Sequence, residues 1–141
     1  MSLDWNFFEQ RFPLEINALK NARSAGRLAH AFLLCSTSTE YRMDFPPLLA
    51  ALSACSQPKK DFSPCGVCAV CRELENGTFP DLVTLAPSSV SRIIPVGESE
   101  DEPDTMRWFE AQFYLRGMTD CGWINGIVHE SDRLNVQAQN A

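Results

Sequence analysis

The sequence has no long apolar run and no excess of positive charge. No stretch approaches the roughly 18 consecutive apolar residues of a membrane-spanning helix, so none is predicted. The N-terminus lacks a basic segment followed by an apolar one, so a secretory signal peptide is not expected. Lysine and arginine number 12 against 18 acidic residues, for a net charge of −6. Because domains that bind nucleic acid by themselves need basic patches, this balance argues against direct nucleic-acid binding.

The remaining composition is that of an ordinary globular protein. The chain has 141 residues, which is enough for one domain with one core. Of these residues, 45% are apolar and 21% are charged. Without a secretion signal, we expect a cytoplasmic protein with no membrane partner, in which clustered cysteines bind metal more often than they form disulfides. Much of the acidic excess lies in residues 98–104, which we interpret as a solvated loop leading into a helix.

Apolar periodicity and helix breakers predict an α/β fold with a parallel sheet. A short, continuously apolar run at residues 31–35 is typical of a strand that is covered on both faces. Pro46 and Pro47 predict the start of a helix, because proline is tolerated in a first turn. Pro95 limits residues 93–96 to an extended segment. The predicted order is helix 14–24, strand 31–35, helix 46–54, strand 82–86, helix 105–116, strand 123–128 and a helix that begins at residue 134. We take Gly26 and Gly117 as helix stops, and Met106, Phe109 and Phe113 as the inner face of the 105–116 helix.

Four of the six cysteines lie close together in the sequence, with the spacing C-x9-C-x2-C-x2-C. Two overlapping C-x2-C pairs and one upstream thiol can close a tetrahedral metal site, and Gly66 suits the tight turn between the first pair. The predicted ligands are Cys55, Cys65, Cys68 and Cys71. They define a module at residues 55–79, inserted after the helix that follows the first strand.

Zinc is the favoured metal, with a structural role, and a four-iron cluster is the main alternative. The residues after Cys71 do not continue with the C-x3-C-P step of bacterial ferredoxins, which favours zinc. Four separate reduced thiols or a disulfide are the remaining readings. His30 and His129 are spare ligand candidates, and we expect Cys35 and Cys121 to be ordinary buried thiols.

Three segments carry a resemblance to a known family. They are residues 27–34 (RLAHAFLL), the cysteine module ending in FPDL at 79–82, and residues 130–135 (ESDRLN). From about Phe12 to Ala141 the chain resembles the N-terminal domain of bacterial DNA polymerase III clamp-loader subunits, delta-prime and gamma/tau, of the AAA+ superfamily. The resemblance implies a three-layer P-loop NTPase-like parallel sheet with an inserted zinc-binding module. It also implies one AAA+-type domain over residues 1–141 that is incomplete at its C-terminus.

The family's phosphate-binding loop has the pattern G-x-x-G-x-G-K-[ST], and the resemblance places it on residues 36–43. Side chains at glycine positions block close backbone approach to phosphate, and methionine cannot coordinate magnesium. The three glycine positions hold Ser36, Thr39 and Tyr41, the lysine position holds Arg42, and the hydroxyl position holds Met43. We therefore expect a vestigial nucleotide loop and no bound ATP.

The family's second magnesium element, an Asp-Glu pair, corresponds to His129 and Glu130. The metal-holding aspartate is thus replaced, and a general base without a positioned phosphate has no substrate. We interpret Glu130, Asp132 and Arg133 as a charge cluster at the start of a helix. The predicted protein is a pseudo-ATPase with no catalytic residues.

The resemblance implies a delta-prime-like, non-catalytic clamp-loader subunit. Its partners would be the gamma/tau and delta subunits and, through the assembled complex, the sliding clamp and primed DNA. Three alternatives stay open at this point: an active gamma/tau-type ATPase with an unusual loop, a zinc module that binds nucleic acid directly, and an iron–sulfur redox domain.

Overall fold

The computed structural model describes residues 4–115 and 117–141. It divides into two compact units, Met1–Phe79 and Pro80–Ala141. In the part of the chain that the structure describes, the first unit contains four helices, and the second contains a two-stranded sheet with further helices. The candidate metal ligands all belong to the first unit.

The helices of the first unit enclose an aromatic core. Phe8 is 1% exposed, and its ring contacts those of Phe12, Tyr41 and Phe45. Trp5, Ile16 and Leu52 complete the buried set. The helices are α1 (Trp5–Arg11), α2 (Pro13–Ser24), α3 (Thr39–Ala54) and α4 (Ala69–Asn76).

Helix α2 confirms the predicted 14–24 helix. Pro13 occupies its first turn, where the missing N–H costs no hydrogen bond. Ile16 is buried, Leu19 packs against the core, and Gly26 follows the end of the helix with a positive φ of 65°. The preceding helix α1 was not predicted; Asp4 caps it by accepting a hydrogen bond from Phe7 N at 2.8 Å.

The predicted strand at residues 31–35 is wrong. This segment forms neither helix nor strand, and all five residues are exposed, with Leu33 at 78%. Among the described residues, the sheet consists of two other strands, so this segment makes no ladder. An apolar run of five residues indicates a need for burial, but it does not specify a hydrogen-bonded partner.

The predicted start of the second helix, at Pro46, is also wrong. Helix α3 begins seven residues earlier, at Thr39, and both prolines lie inside it. Ser38 caps the helix by accepting a hydrogen bond from Tyr41 N at 3.3 Å, and Tyr41 and Phe45 pack into the aromatic core. Cap and packing together outweigh the two hydrogen bonds that the prolines remove.

The second unit confirms a parallel pairing. Strands β1 (Leu82–Leu85) and β2 (Asn125–Val128) run in the same direction, with Leu82 opposite Asn125 and Leu85 opposite Val128. The observed strands are shorter than the predicted 82–86 and 123–128. Ile94 makes an isolated parallel bridge to Leu134, which agrees with the merely extended segment predicted there.

Helix α5 (Met106–Gln112) packs against β1 and forms the core of this unit with Leu85 and Ile94. Thr105 caps it by accepting a hydrogen bond from Trp108 N at 3.3 Å. The predicted inner face is confirmed for Met106 and Phe109. The helix ends at Gln112, and the described residues 113–115 are not helical, so the predicted end at residue 116, with Gly117 as the stop, is wrong. Phe113, at 40% exposure, lies just beyond the helix.

The chain closes with a 3₁₀ turn at Ser131–Arg133 and the short helix α6 (Val136–Gln139). Asn135 caps α6 by accepting a hydrogen bond from Ala138 N at 2.8 Å. Glu130, Asp132 and Arg133 do form the predicted charge cluster, but they lie at the 3₁₀ turn, and the last helix starts two residues later than predicted. Across the described residues, the structure contains no helix that is long and apolar enough to cross a bilayer.

Candidate metal centre

Two helix ends and one tight turn bring the four predicted cysteines together. Cys55 follows the last residue of α3, Cys68 is the N-cap residue of α4, and Cys71 lies in the first turn of α4. Cys65 precedes Gly66, whose φ of 74° forms the turn that its C-x2-C spacing predicted. The contact between α3 and α4 therefore determines the distance between the two halves of the cluster.

The sulfur–sulfur distances fit a tetrahedral thiolate site. Cys55 Sγ lies 3.6 Å from Cys65 Sγ and 3.9 Å from Cys68 Sγ, and Cys65 Sγ lies 4.0 Å from Cys71 Sγ. All four sulfurs are within 4.8 Å of one another. A regular tetrahedron with bonds of ~2.3 Å has sulfur–sulfur edges of about 3.8 Å, which is typical of a Zn(Cys)₄ centre.

The turn supplies backbone donors to its sulfurs. Val67 N and Cys68 N donate to Cys65 Sγ at 3.5 and 3.3 Å. Burial works most strongly against ionisation of Cys65, but these two donors outweigh it and lower its pKa. For Cys68, burial is again outweighed, here by Cys71 N–H and by Ser56, and its pKa falls to about 6. These two thiols are therefore prepared to become the thiolates that metal binding requires.

The other two thiols have the opposite preference. Burial raises the pKa of Cys55 and Cys71, which are 4% and 6% exposed. A cation bound among the sulfurs would supply the positive charge that ionisation of these two groups requires. Without such a charge, Cys55 and Cys71 remain protonated at neutral pH, and a metal that binds all four sulfurs would have to displace those protons.

The two histidines and the other two cysteines are not part of this cluster. Within residues 4–115 and 117–141, the four cysteines are the one group of three or more potential metal ligands that the geometry brings together. Neither His30, which is exposed, nor His129, whose pKa is lowered by burial, belongs to it. The expected burial of Cys35 is wrong, because that thiol is exposed; Cys121 is half-buried, and its Sγ lies 3.0 Å from Thr119 Oγ1.

The predicted nucleotide loop is occupied by its own side chains. Arg42 donates from Nη1 to Ser36 O and from Nη2 to Thr39 Oγ1 at 3.0 Å. Tyr41 packs among the rings of α1, with 5.7 Å between its ring centroid and that of Phe8. Met43 is 51% exposed. The N-terminus of α3, where a phosphate loop would present free N–H groups, is instead capped by a side chain of the loop itself.

In the second unit, Glu130 is engaged by two arginines. It pairs with Arg92, and its Oε2 lies 3.9 Å from Arg133 Nε. Both Arg92 and Glu130 adopt left-handed backbone conformations, with φ of 57° and 52°. His129 N donates to Leu85 O at 2.8 Å, which extends the ladder by one step beyond β2. The Glu130 carboxylate is thus part of a surface ion cluster.

A comparison with family models supplies the identification. The model described as DNA polymerase III, delta subunit matches residues 13–141, which is nearly the whole chain. The chain belongs to that family. The expected relationship to DNA polymerase III clamp-loader subunits is therefore confirmed.

Curated relatives of this delta-family chain are also DNA polymerase III subunits. It is 36% identical over 78 residues to subunit tau of Salmonella typhimurium and of Escherichia coli, which is 55% of this chain and 12% of each relative. It is 30% identical over 86 residues to subunit gamma of Buchnera aphidicola, covering 61% of this chain and 24% of the relative. The matched region is therefore a small part of each relative.

One feature of this family member near the cysteines was not predicted from sequence. Lys20, on α2, forms ion pairs with Glu9 and with Asp61, a residue of the segment between Cys55 and Cys65. Nothing in the sequence spacing indicates this contact, because Lys20 and Asp61 are 41 residues apart.

Proposed function

We propose that this chain is a non-catalytic, delta-prime-like subunit of a DNA polymerase III clamp loader, in which the four cysteines hold a structural zinc ion. It would assemble with ATPase subunits and take part in loading the sliding clamp during DNA replication. The whole assembly would be cytoplasmic, and this subunit would contribute an interface and no nucleotide hydrolysis.

The state of the loop at residues 36–43 carries the proposal. A phosphate site needs unblocked backbone donors, a mobile cation and a magnesium ligand. Ser38 already accepts from Tyr41 N, Arg42 already donates to Ser36 and Thr39, and Met43 offers no hard oxygen. Glu130, engaged by Arg92 and Arg133, adds to this argument from the second unit.

The zinc assignment depends on the donor set. Four sulfurs at tetrahedral spacing favour a metal that accepts four thiolates without needing an open position, which is typical of structural zinc sites. Such a metal would connect α3 to α4 and fix the intervening segment. A four-iron cluster would instead give a brown protein that absorbs visible light, so metal analysis and an absorption spectrum of the purified chain distinguish the two.

The second candidate is an active gamma/tau-type ATPase. The identity to subunit tau favours it, since 36% over 78 residues reaches beyond a short motif. In that case, the loop at residues 36–43 would have to rearrange on binding, with Arg42 leaving Ser36 and Thr39. Both candidates share the fold and the cysteine cluster, and they differ in nucleotide binding.

Equilibrium binding of a fluorescent ATP analogue, with and without magnesium, tests the proposal. We expect no saturable binding from micromolar to millimolar concentrations, with an unrelated P-loop ATPase as positive control. The matched variant is Arg42→Ala, which removes the one loop cation at the former lysine position. Magnesium-dependent micromolar binding by the wild type that Arg42→Ala abolishes would contradict a non-catalytic role and favour the ATPase candidate.

A further inference from the structure

A largely buried lysine ammonium connects two helices to the cysteine segment. The Lys20 side chain is 12% exposed, and its Nζ contacts a carboxylate of Glu9 on α1 and Asp61 Oδ2 at 2.9 Å. A charge that is this well shielded needs ionic partners, and here it has two on different segments. Hydrogen bonds from Glu9 and then Asp61 raise the pKa of Lys20, so it remains charged.

Asp61 in turn organises the loop that leads to Cys65. Its Oδ1 accepts hydrogen bonds from Ser63 Oγ at 2.7 Å and from Ser63 N at 3.2 Å. Ser63 is 2% exposed, and Ser63 O accepts a hydrogen bond from Lys59 N at 2.9 Å. The loop also contains Phe62 in a left-handed conformation, with φ of 66°. Asp61 thus fixes a closed turn that ends two residues before the first ligand of the C-x2-C pair.

The same face of α2 also contacts the other arm of the cluster. Arg23 lies one helical turn after Lys20, and its Nε donates to Leu52 O at 2.9 Å. Leu52 is 1% exposed and stands three residues before Cys55, near the end of α3. Neighbouring cations of α2 therefore each hold one of the two chain segments that deliver Cys55 and Cys65.

We propose that Lys20 and Arg23 are positioning residues for the metal centre, which set the separation of Cys55 and Cys65 before a metal binds. The inference rests on the proposed metal binding by the four cysteines. Residues outside the ligand shell that orient ligands typically change metal affinity by about 10- to 100-fold when they are removed. Lys20 has the larger effect of the two, because its contact crosses to a loop, whereas Arg23 contacts a helix that is already ordered.

The experiment compares zinc affinities of full-chain variants by competition with a chromophoric chelator. We expect Lys20→Met and Asp61→Asn each to weaken zinc binding about 10-fold. The double variant should lose little more than either single one, because both remove the same contact. The matched control is Lys60→Met, which changes an exposed lysine of the same loop and should leave zinc affinity unchanged.

Cobalt substitution separates positioning from general stabilisation. The Co²⁺–thiolate absorption bands report ligand geometry, so we expect Lys20→Met to shift or broaden them while helical circular dichroism is retained. If the two variants bind zinc as tightly as the wild type and give the same cobalt spectrum, the positioning role is wrong. If Lys20→Met does not fold, Asp61→Asn, which changes a half-exposed loop side chain, decides the question alone.

The zinc-affinity measurements distinguish failure of the positioning role from failure of the metal centre. Wild-type protein that binds no zinc in the competition assay would overturn the metal centre itself, and the positioning role with it. Wild-type protein that binds one zinc ion per chain, together with variants of equal affinity, would overturn the positioning role alone.

Discussion

Asp81 is a buried carboxylate with several hydrogen-bond donors around it. It is 3% exposed and accepts hydrogen bonds from Met118 N at 2.6 Å, from Thr119 N at 2.7 Å and from Thr119 Oγ1. Burial disfavours its charged form, but the Thr119 hydroxyl and the two backbone donors outweigh burial and lower its pKa. The ionised carboxylate therefore ties the segment before β2 to the start of β1.

The direction of this shift predicts acid sensitivity of the second unit. A lowered carboxylate pKa adds stability above the unfolded-state value, about 3.9, and that contribution is lost as pH falls through the folded-state value. We expect Asp81→Asn to reduce the free energy of unfolding at pH 7 by about 1–3 kcal/mol, since two backbone donors lose a charged acceptor. Urea denaturation at pH 7 and at more acidic pH measures this difference.

The variant should also change the pH profile, with a smaller loss of stability on acidification than in the wild type. Asp120→Asn is the matched control, because Asp120 is exposed and close in sequence to the same loop. Equal stability of Asp81→Asn and Asp120→Asn at pH 7 would contradict the role of the buried carboxylate.

At the scale of helices and strands, the chain was predictable where a local signal agreed with the packing. Helix α2 has a proline at its start, an apolar face and a glycine after its end, and all three are in the sequence. The apolar run at residues 82–86 was correctly predicted to be a strand, because in the fold its backbone pairs with a second strand, β2. The similar run at residues 31–35 gave a wrong strand prediction, because apolar composition does not show whether a second strand is present to form backbone hydrogen bonds with it.

For helix α3, a local signal gave the wrong start of a helix that does exist. The two prolines are strong local signals, but the start of the helix depends on the Ser38 cap and on aromatic contacts of Tyr41 and Phe45 with distant helices. The cysteine cluster was predictable because spacing alone restricts where its sulfurs can go. The Lys20–Asp61 pair was not, because a contact over 41 residues leaves no periodic trace.

The cysteine module should be the first element to loosen when a ligand is lost. Between Cys55 and α4, the segment has few buried apolar side chains, so a bound metal would supply much of its local stability. We expect Cys68→Ser, or a strong chelator, to speed cleavage within residues 55–79 by about tenfold or more, because each ~1.4 kcal/mol of lost local stability increases opening tenfold. Limited proteolysis with mass-spectrometric mapping measures this rate.

Cys35→Ser is the matched control, since Cys35 is an exposed thiol outside the cluster. Its cleavage pattern should be that of the wild type. Unchanged protease resistance of residues 55–79 in Cys68→Ser would mean that the metal, if bound, does not stabilise the module.

At the scale of the whole molecule, charge is the property that limits the choice of partner. The net charge of −6 gives the chain no general attraction to phosphate backbones, and lysines and arginines such as Lys20, Arg23, Arg42 and Arg92 are engaged by groups of the protein itself. Family membership was predictable from the sequence motifs. The partner subunits were not predictable, because their identity depends on the surfaces of other chains. We therefore expect any role in replication to depend on protein contacts.

We expect the isolated chain not to bind primed DNA at micromolar concentration, even at low salt, and zinc removal to leave this unchanged. Fluorescence anisotropy of labelled primed DNA, measured over a range of salt concentrations, tests the expectation. Binding that weakens steeply with salt would indicate several phosphate contacts and would favour direct nucleic-acid recognition by the module.

The two prolines of α3 affect how far the helix can unfold from its C-terminal end. Pro46 and Pro47 have no amide hydrogens, so the carbonyls of Arg42 and Met43 lack their usual helical donors. Fraying that starts at the Cys55 end meets this gap after about two turns. Oxidation or metal loss at the cysteines should therefore melt only the last part of the helix and leave Tyr41 and Phe45 seated among the aromatic rings.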